Sequence, residues 1–278
     1  MQDHKTGWRN LVLFFSITFA FSWVFWVPQA LVSKGMLTAA PWLSEFLFSP
    51  YNPAAFGPLV GAVVLTYTEG GKERVAALFR KITKYRIGQW YLPVFLVSPA
   101  IMGLALLMAV LSGDPLPELA AFSDPLTLLF AFAYIFFLGG PFQEEFGWRG
   151  YALENLQQRR SAFTSSAVLG AVWGAWHLPL FYIQGTIQSQ TPIWGFFVLI
   201  ICGAFLFTWI YNNTGGSVLA VMIYHTMNNL AYLIFPTLET ETGGLYLLIL
   251  NVLAVAVVLK LYGAKKMVRG NVPLNGND

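Results

Sequence analysis

Residues 90–111 read WYLPVFLVSPAIMGLALLMAVL, without one charged side chain. A helix rises 1.5 Å per residue and needs about 20 mainly apolar residues to cross a bilayer, so this run is long enough to span one. Working outward, comparable apolar stretches recur at residues 11–32, 53–67, 126–140, 162–182, 193–210, 217–235 and 245–261. Those beginning at Pro53 and Leu126 are short and are extended into flanking residues such as Asn52 and Gln143. The expectation is an all-α, polytopic integral membrane protein with about eight transmembrane helices.

Composition agrees. Of 278 residues 56% are hydrophobic and 10% charged, against about 25% charged in a typical soluble domain. The mean hydropathy is +0.60. With an N-in arrangement, the inner segments are residues 1–10, 68–88, 144–161, 212–216 and those from Lys260, and they hold all 16 Lys and Arg except Lys34. Short basic loops favour the cytoplasmic side, which predicts both termini there and the protein in the cell membrane. The net charge of +3 is thereby accounted for without nucleic acid, because the cations are dispersed over membrane-flanking loops.

The lone Cys202 excludes an intrachain disulfide or cysteine metal cluster and reads as a packed small hydrophobe. The first apolar stretch contains Trp23, Trp26 and Pro28 and lacks a small-x-small cleavage site, so it is expected to be a retained span. No linker or repeat divides the chain, which predicts one integral domain over 1–278. Within it, residues 71–86 place Val75, Leu78, Phe79 and Ile82 at helical spacing among basic neighbours, as an interfacial amphipathic helix would. Asn212 to Gly216 reads as a turn, and the polar tail from Gly270 as frayed.

Three polar blocks stand beside or inside the apolar sequence, where ionisable groups cost about 2.5–3.5 kcal/mol each by insertion scales. In the first, Pro141 is a helix start and places Glu144 and Glu145 in the early turns, where the helix dipole tolerates anions. Glu145 and Arg149, four apart, are expected to pair; Glu144 is turned about 100° away from that pair and reads as available. In the second block, Pro179 ends a helix just after His177, and Gly170, Ala171, Gly174 and Ala175 permit close helix approach. In the third, His225 and Asn229 share a helical face from which Asn228 is rotated.

Each block alone also has a structural reading, as a loop charge, a core histidine or helix-to-helix glue. Together they supply a carboxylate and an imidazole for general-base work on water, and an imidazole and a carboxamide as donors to an oxyanion. Glu144, His177 and His225 could alternatively ligate a divalent ion such as zinc, although no H-E-x-x-H pair is present. A proton-linked transporter is a rival reading, because intramembrane Glu and His also serve proton relays.

As an ordered set the blocks resemble the prenyl-endopeptidase-like intramembrane proteases, the CAAX protease and bacteriocin-processing (CPBP, or Abi) family. Glu144, Glu145 and Arg149 match its Glu-Glu-x-x-x-Arg, Trp173 and His177 its aromatic-x-x-x-His, and His225 and Asn229 its last pair. The resemblance implies helices around an intramembrane cavity, with water activated by Glu144 and His177 and the oxyanion stabilised by His225 and Asn229. It implies a supporting role for Glu145 and Arg149. Trp173 stands where the family more often has Phe. Members are named metalloproteases, and some cleave after a prenylated cysteine in a CaaX sequence, which makes a prenylated or otherwise membrane-associated peptide the expected partner. Others act in self-immunity or as scaffolds, the non-enzymatic alternative here.

Overall fold

The computed structural model describes residues 2–50 and 52–269. The tail expected to fray from Gly270 lies outside the described residues. In chain order the helices are α1 (Gln2–Ser33), α2 (Pro41–Phe48), α3 (Gly57–Arg80), α4 (Tyr91–Leu111), α5 (Pro125–Leu138) and α6 (Pro141–Gly147). A π-helical turn (Trp148–Leu153) follows, then α7 (Glu154–Gln157), α8 (Ala162–Trp176), α9 (Ile187–Gln190), α10 (Ile193–Asn213), α11 (Val218–Ile234) and α12 (Gly243–Tyr262). No strand occurs among the described residues.

The all-α membrane reading holds. Among the described residues five helical stretches are long and apolar enough to cross a bilayer: Gly7–Ser33, Gly88–Leu111, Leu126–Gln157, Ile193–Asn213 and Gly243–Tyr262. The other three apolar stretches of the sequence fall in shorter helical pieces. Residues 53–67 divide between a 3-10 turn, Pro53–Phe56, and the start of α3. Residues 162–182 divide between α8 and a second 3-10 turn, Leu178–Tyr182, and residues 217–235 form the 17-residue α11. The protein is a multi-pass membrane protein.

The helices gather into two compact units. One comprises the described residues up to Arg80, Gln143–Arg160 and Thr164–Ile201; the other comprises Lys81–Phe142, Ser161–Phe163 and those from Cys202 onward. In the first, α1 packs along α3. The contact is close because α3 presents glycine there: a Cβ on Gly57 would lie 2.1 Å from Ser22 Oγ, and one on Gly61 2.8 Å from Thr18 Oγ1. Small residues that let backbones approach are the usual means of helix association in lipid, where apolar side chains gain nothing by leaving the tails.

α3 is not continuous. Gly70 (φ −173°, ψ 28°) and Gly71 (φ 65°, ψ −158°) are non-helical, and the second conformation is one that only glycine adopts without strain. The break sets residues 72–80 apart as the expected amphipathic arm: Leu78 is buried, Val75 half-buried, and Lys72, Glu73, Arg74 and Arg80 are exposed. Phe79 packs edge-on against Phe146 at 4.8 Å. Helical structure ends with the 3-10 turn Lys81–Thr83, short of the expected limit at residue 86. The reason lies beyond the arm. Lys84 donates its ammonium to the Gly215 carbonyl at 2.7 Å and accepts the Ser217 hydroxyl on its own carbonyl at 2.6 Å, contacts that hold it outside a helix.

In the second unit, α4 packs against both α11 and α12, and α5 against α11. Asp124 caps α5, accepting the Leu126 N–H at 3.2 Å and the Thr127 hydroxyl at 2.6 Å; the Thr127 contact holds its carboxyl below the ordinary carboxylate range. The expected turn follows α10, with Gly215 and Gly216 at positive φ. Asn212 and Asn213 then donate to the carbonyls of Lys266 and Met267, both at 2.7 Å. Met267 is fully buried in a left-handed conformation (φ 54°), a strained residue held by the packing around it.

Candidate active site

Pro141 opens α6 after the break at Gly140 (φ 113°), so Glu144 falls in the first turn and Glu145 behind it. Both carboxylates are buried, with residue exposures of 5% and 0%. Each looks four residues ahead. Glu145 receives the Arg149 Nη1 on both oxygens, at 2.8 and 3.1 Å, as its spacing predicts. Glu144 receives the Trp148 indole N–H at 3.2 Å and, from α8, the Trp173 indole N–H at 2.8 Å, both on Oε2. The expectation that Glu144 stands available while only its neighbour is anchored is therefore corrected. A helix rotates about 100° per residue, so adjacent glutamates reach adjacent but different partners.

Trp173 connects the two pairs. Its N–H serves Glu144, and its ring face lies 4.3 Å from the Arg149 guanidinium carbon. Cation–π contact of this kind strengthens when water is excluded, and Arg149 is fully buried. A phenylalanine could supply the ring but not the hydrogen bond. Trp148 escaped the sequence reading, although its spacing from Glu144 matches that of Arg149 from Glu145.

α8 ends at Trp176, and His177 follows in the turn that Pro179 enforces. Its Nδ1 lies 2.7 Å from the Trp173 carbonyl. A carbonyl only accepts, so Nδ1 carries the proton and Nε2 is the basic nitrogen of the neutral ring. Aromatic rings surround the imidazole, with Trp176 at 4.8 Å, Phe196 at 5.4 Å and Trp173 at 5.8 Å. Gly174, one of the small residues picked out in this block, makes room for α10: a Cβ there would meet the Phe197 ring at 3.0 Å. Glu144, Glu145, Arg149, Trp173 and His177 thus belong to one unit, in which Trp173 touches Glu144, Arg149 and His177.

His225 and Asn229 belong to the second unit, on one face of α11. His225 is 5% exposed and stands edge-on to Phe207 at 5.3 Å. Asn229 Nδ2 donates to the Gly139 carbonyl at 3.3 Å, tying α11 to the end of α5. A carboxamide carries two N–H donors, so this contact engages one of them. Asn228 is not simply rotated away, since its amide donates to Asn229 Oδ1 at 3.4 Å.

A sequence model of the family described as Type II CAAX prenyl endopeptidase Rce1-like matches residues 125–231, which include all three blocks. The CAAX prenyl protease 2 of Methanococcus maripaludis is 28% identical over 271 residues, covering 92% of this chain and 95% of its own length. The chain is similar to this endopeptidase family over the segment that carries the three blocks. Its function is that of an intramembrane endopeptidase.

The donor set bears on the divalent ion that the sequence left as an alternative. Catalytic zinc is held by three protein ligands and keeps a fourth position for water. In the first unit of the endopeptidase, Glu144 and His177 are the side chains that could serve, and Glu144 already accepts two indole N–H groups. Among the described residues no three His, Cys, Asp or Glu side chains form a group that could hold a metal ion.

The site helix is also set by a close backbone approach. A Cβ on Gly147 would lie 2.3 Å from the Pro58 carbonyl oxygen and 2.5 Å from its carbon. These are main-chain atoms of α3 and cannot rotate aside. Gly147→Ala is expected to destabilise the protein by about 1–3 kcal/mol through overpacking and to lower turnover, because Gly147 lies between Glu145 and Trp148. Thermal unfolding in detergent measures the first effect; a wild-type melting temperature would show that α3 yields easily.

Proposed function

We propose that this endopeptidase hydrolyses a peptide bond near the C-terminus of prenylated, membrane-bound CaaX substrates. The attacking water is activated by Glu144 and His177. The observation that carries this reading is the Trp173 junction, which holds the Glu144 carboxylate through its indole N–H and the His177 ring through its carbonyl. Glu144 takes a proton as the water oxygen attacks the scissile carbonyl carbon, while the basic Nε2 of His177 accepts the second water hydrogen and aligns the nucleophile. The C–N bond then breaks, and the leaving amine takes the proton from Glu144.

His225 and Asn229 donate to the oxyanion of the tetrahedral intermediate. Their support is the matched segment, which contains both, together with their shared face on α11. Glu145 and Arg149 keep the helix that carries Glu144 in place. Both termini face the cytoplasm, where the basic inner segments favour them, so substrate arrives from that side. The prenyl preference rests on the family description and on the printed name of the archaeal relative.

The test is turnover by protein reconstituted in liposomes. A farnesylated CaaX peptide should be cut after its modified cysteine, and the unprenylated peptide far more slowly. Equal rates on both, or no cleavage of either, would defeat the substrate assignment. Exhaustive chelation should leave the rate within about twofold, since Glu144 and His177 supply the base function unaided. Loss of activity restored by zinc alone would return a metal to the mechanism.

A further inference from the structure

Glu69 lies at the last helical position before the break in α3, and its carboxylate collects donors from three other segments of the first unit. Asn10 Nδ2 of α1 donates to Oε1 at 2.8 Å, and the Tyr151 hydroxyl donates to the same oxygen at 2.6 Å. Arg74, across the Gly70–Gly71 break, donates to Oε2 at 3.0 Å. The Glu69 side chain is 17% exposed, whereas that of Arg74 is 59% exposed. Short hydrogen bonds to an ionised acceptor are the strong kind, and two of these converge in a largely desolvated place.

Tyr151 gives this cluster a bearing on hydrolysis. It sits inside the π-helical turn Trp148–Leu153, whose first two residues are the Trp148 that donates to Glu144 and the Arg149 that pairs with Glu145. Phe14 of α1 braces the same turn, its ring 5.1 Å from Tyr151 and 5.8 Å from Trp148. π-Helical turns are rare, appear mostly as single turns inside α-helices, and are frequent at functional sites. Contacts from outside the turn, here through the Tyr151 hydroxyl and the Phe14 ring, help to fix its register.

We propose that Glu69 is a positioning residue for the endopeptidase. Through the Tyr151 hydroxyl it sets the register of the π-helical turn, and with it the place of the Trp148 indole against Glu144. Glu69 touches no reacting atom. This inference rests on the reading of Glu144 as the base, and it makes Glu69 and Tyr151 one functional unit although they are far apart in sequence.

The experiment is steady-state cleavage of a farnesylated CaaX peptide by the reconstituted full-length protein and its Glu69→Gln, Tyr151→Phe, Arg74→Ala and Glu144→Gln variants. Small displacements of catalytic groups cost large factors in rate. Glu69→Gln and Tyr151→Phe are each expected to lower kcat by about tenfold with KM within twofold, and the double variant should be no worse than either. Arg74→Ala, which removes a donor on the other oxygen, should keep the wild-type kcat. A general loss of structure would instead act through all the donors of Glu69. Wild-type kcat in Tyr151→Phe, equal loss in Arg74→Ala, or additive loss in the double variant would each overturn the proposal. Should Glu69→Gln fail to fold, Tyr151→Phe against Arg74→Ala decides it alone. Glu144→Gln separates the two readings: if it turns over normally the base assignment fails, while the coupling of Glu69 to Tyr151 is still read directly.

Discussion

Glu144→Gln is expected to lower kcat by about 10²- to 10⁴-fold, the range that a positioned general base contributes. The substitution is close to isosteric, and the new carbonyl oxygen can still accept the Trp148 and Trp173 indole N–H groups that Glu144 receives at 3.2 and 2.8 Å. What is lost is a group able to take a proton from water. KM should therefore stay near its wild-type value, because the effect falls on a step after binding. Cleavage of the farnesylated peptide gives kcat, and a melting curve in the same detergent shows that the fold persists. A variant that keeps even a tenth of the wild-type kcat would assign the proton transfer elsewhere.

Arg149→Met should produce the largest stability loss. Arg149 and Glu145 are both fully buried and joined at 2.8 and 3.1 Å, and the guanidinium also covers the Trp173 ring at 4.3 Å. Removing one partner of a buried pair typically costs about 3–5 kcal/mol, because the carboxylate stays in low dielectric without its counter-charge. Replacing both, as Glu145→Gln with Arg149→Met, should recover much of the loss, since no buried charge is then left behind. Turnover should fall in the single variant because α6, which carries Glu144, loses its tie to the π-helical turn that follows it. Chemical unfolding in detergent tests the ordering: a single variant as stable as the wild type, or a double variant less stable than the single, would contradict it.

Much of this site was legible because its contacts are short in sequence. The Glu145–Arg149 pair and the helix end at Pro179 follow from spacing alone. The Trp148–Glu144 contact follows the same rule and was open to the same reasoning. The Trp173 contact differs, because its indole reaches Glu144 from another helix and no local pattern announces it. The Glu69–Tyr151 contact is more distant still, and nothing in the residues around either suggests the other.

The fold divides in the same way. Long charge-free runs such as that ending at Leu111 must become helices in a bilayer, because every backbone polar group needs a partner inside its own segment. Where a run was shorter, its course depended on neighbours. The arm after Gly71 ends at Thr83 because the second unit holds Lys84 through Gly215 and Ser217, residues remote in sequence.

The sequence by itself determined a helical membrane protein, the three polar blocks and the local ion pair within the first of them, all consequences of burial cost and helical periodicity. Only the tertiary structure decided that the Trp173 indole reaches Glu144 from another helix and joins its carboxylate to the His177 ring, and that Glu69 grips the turn behind them. Those contacts depend on side chains meeting across helices, where packing rather than sequence spacing selects the partner.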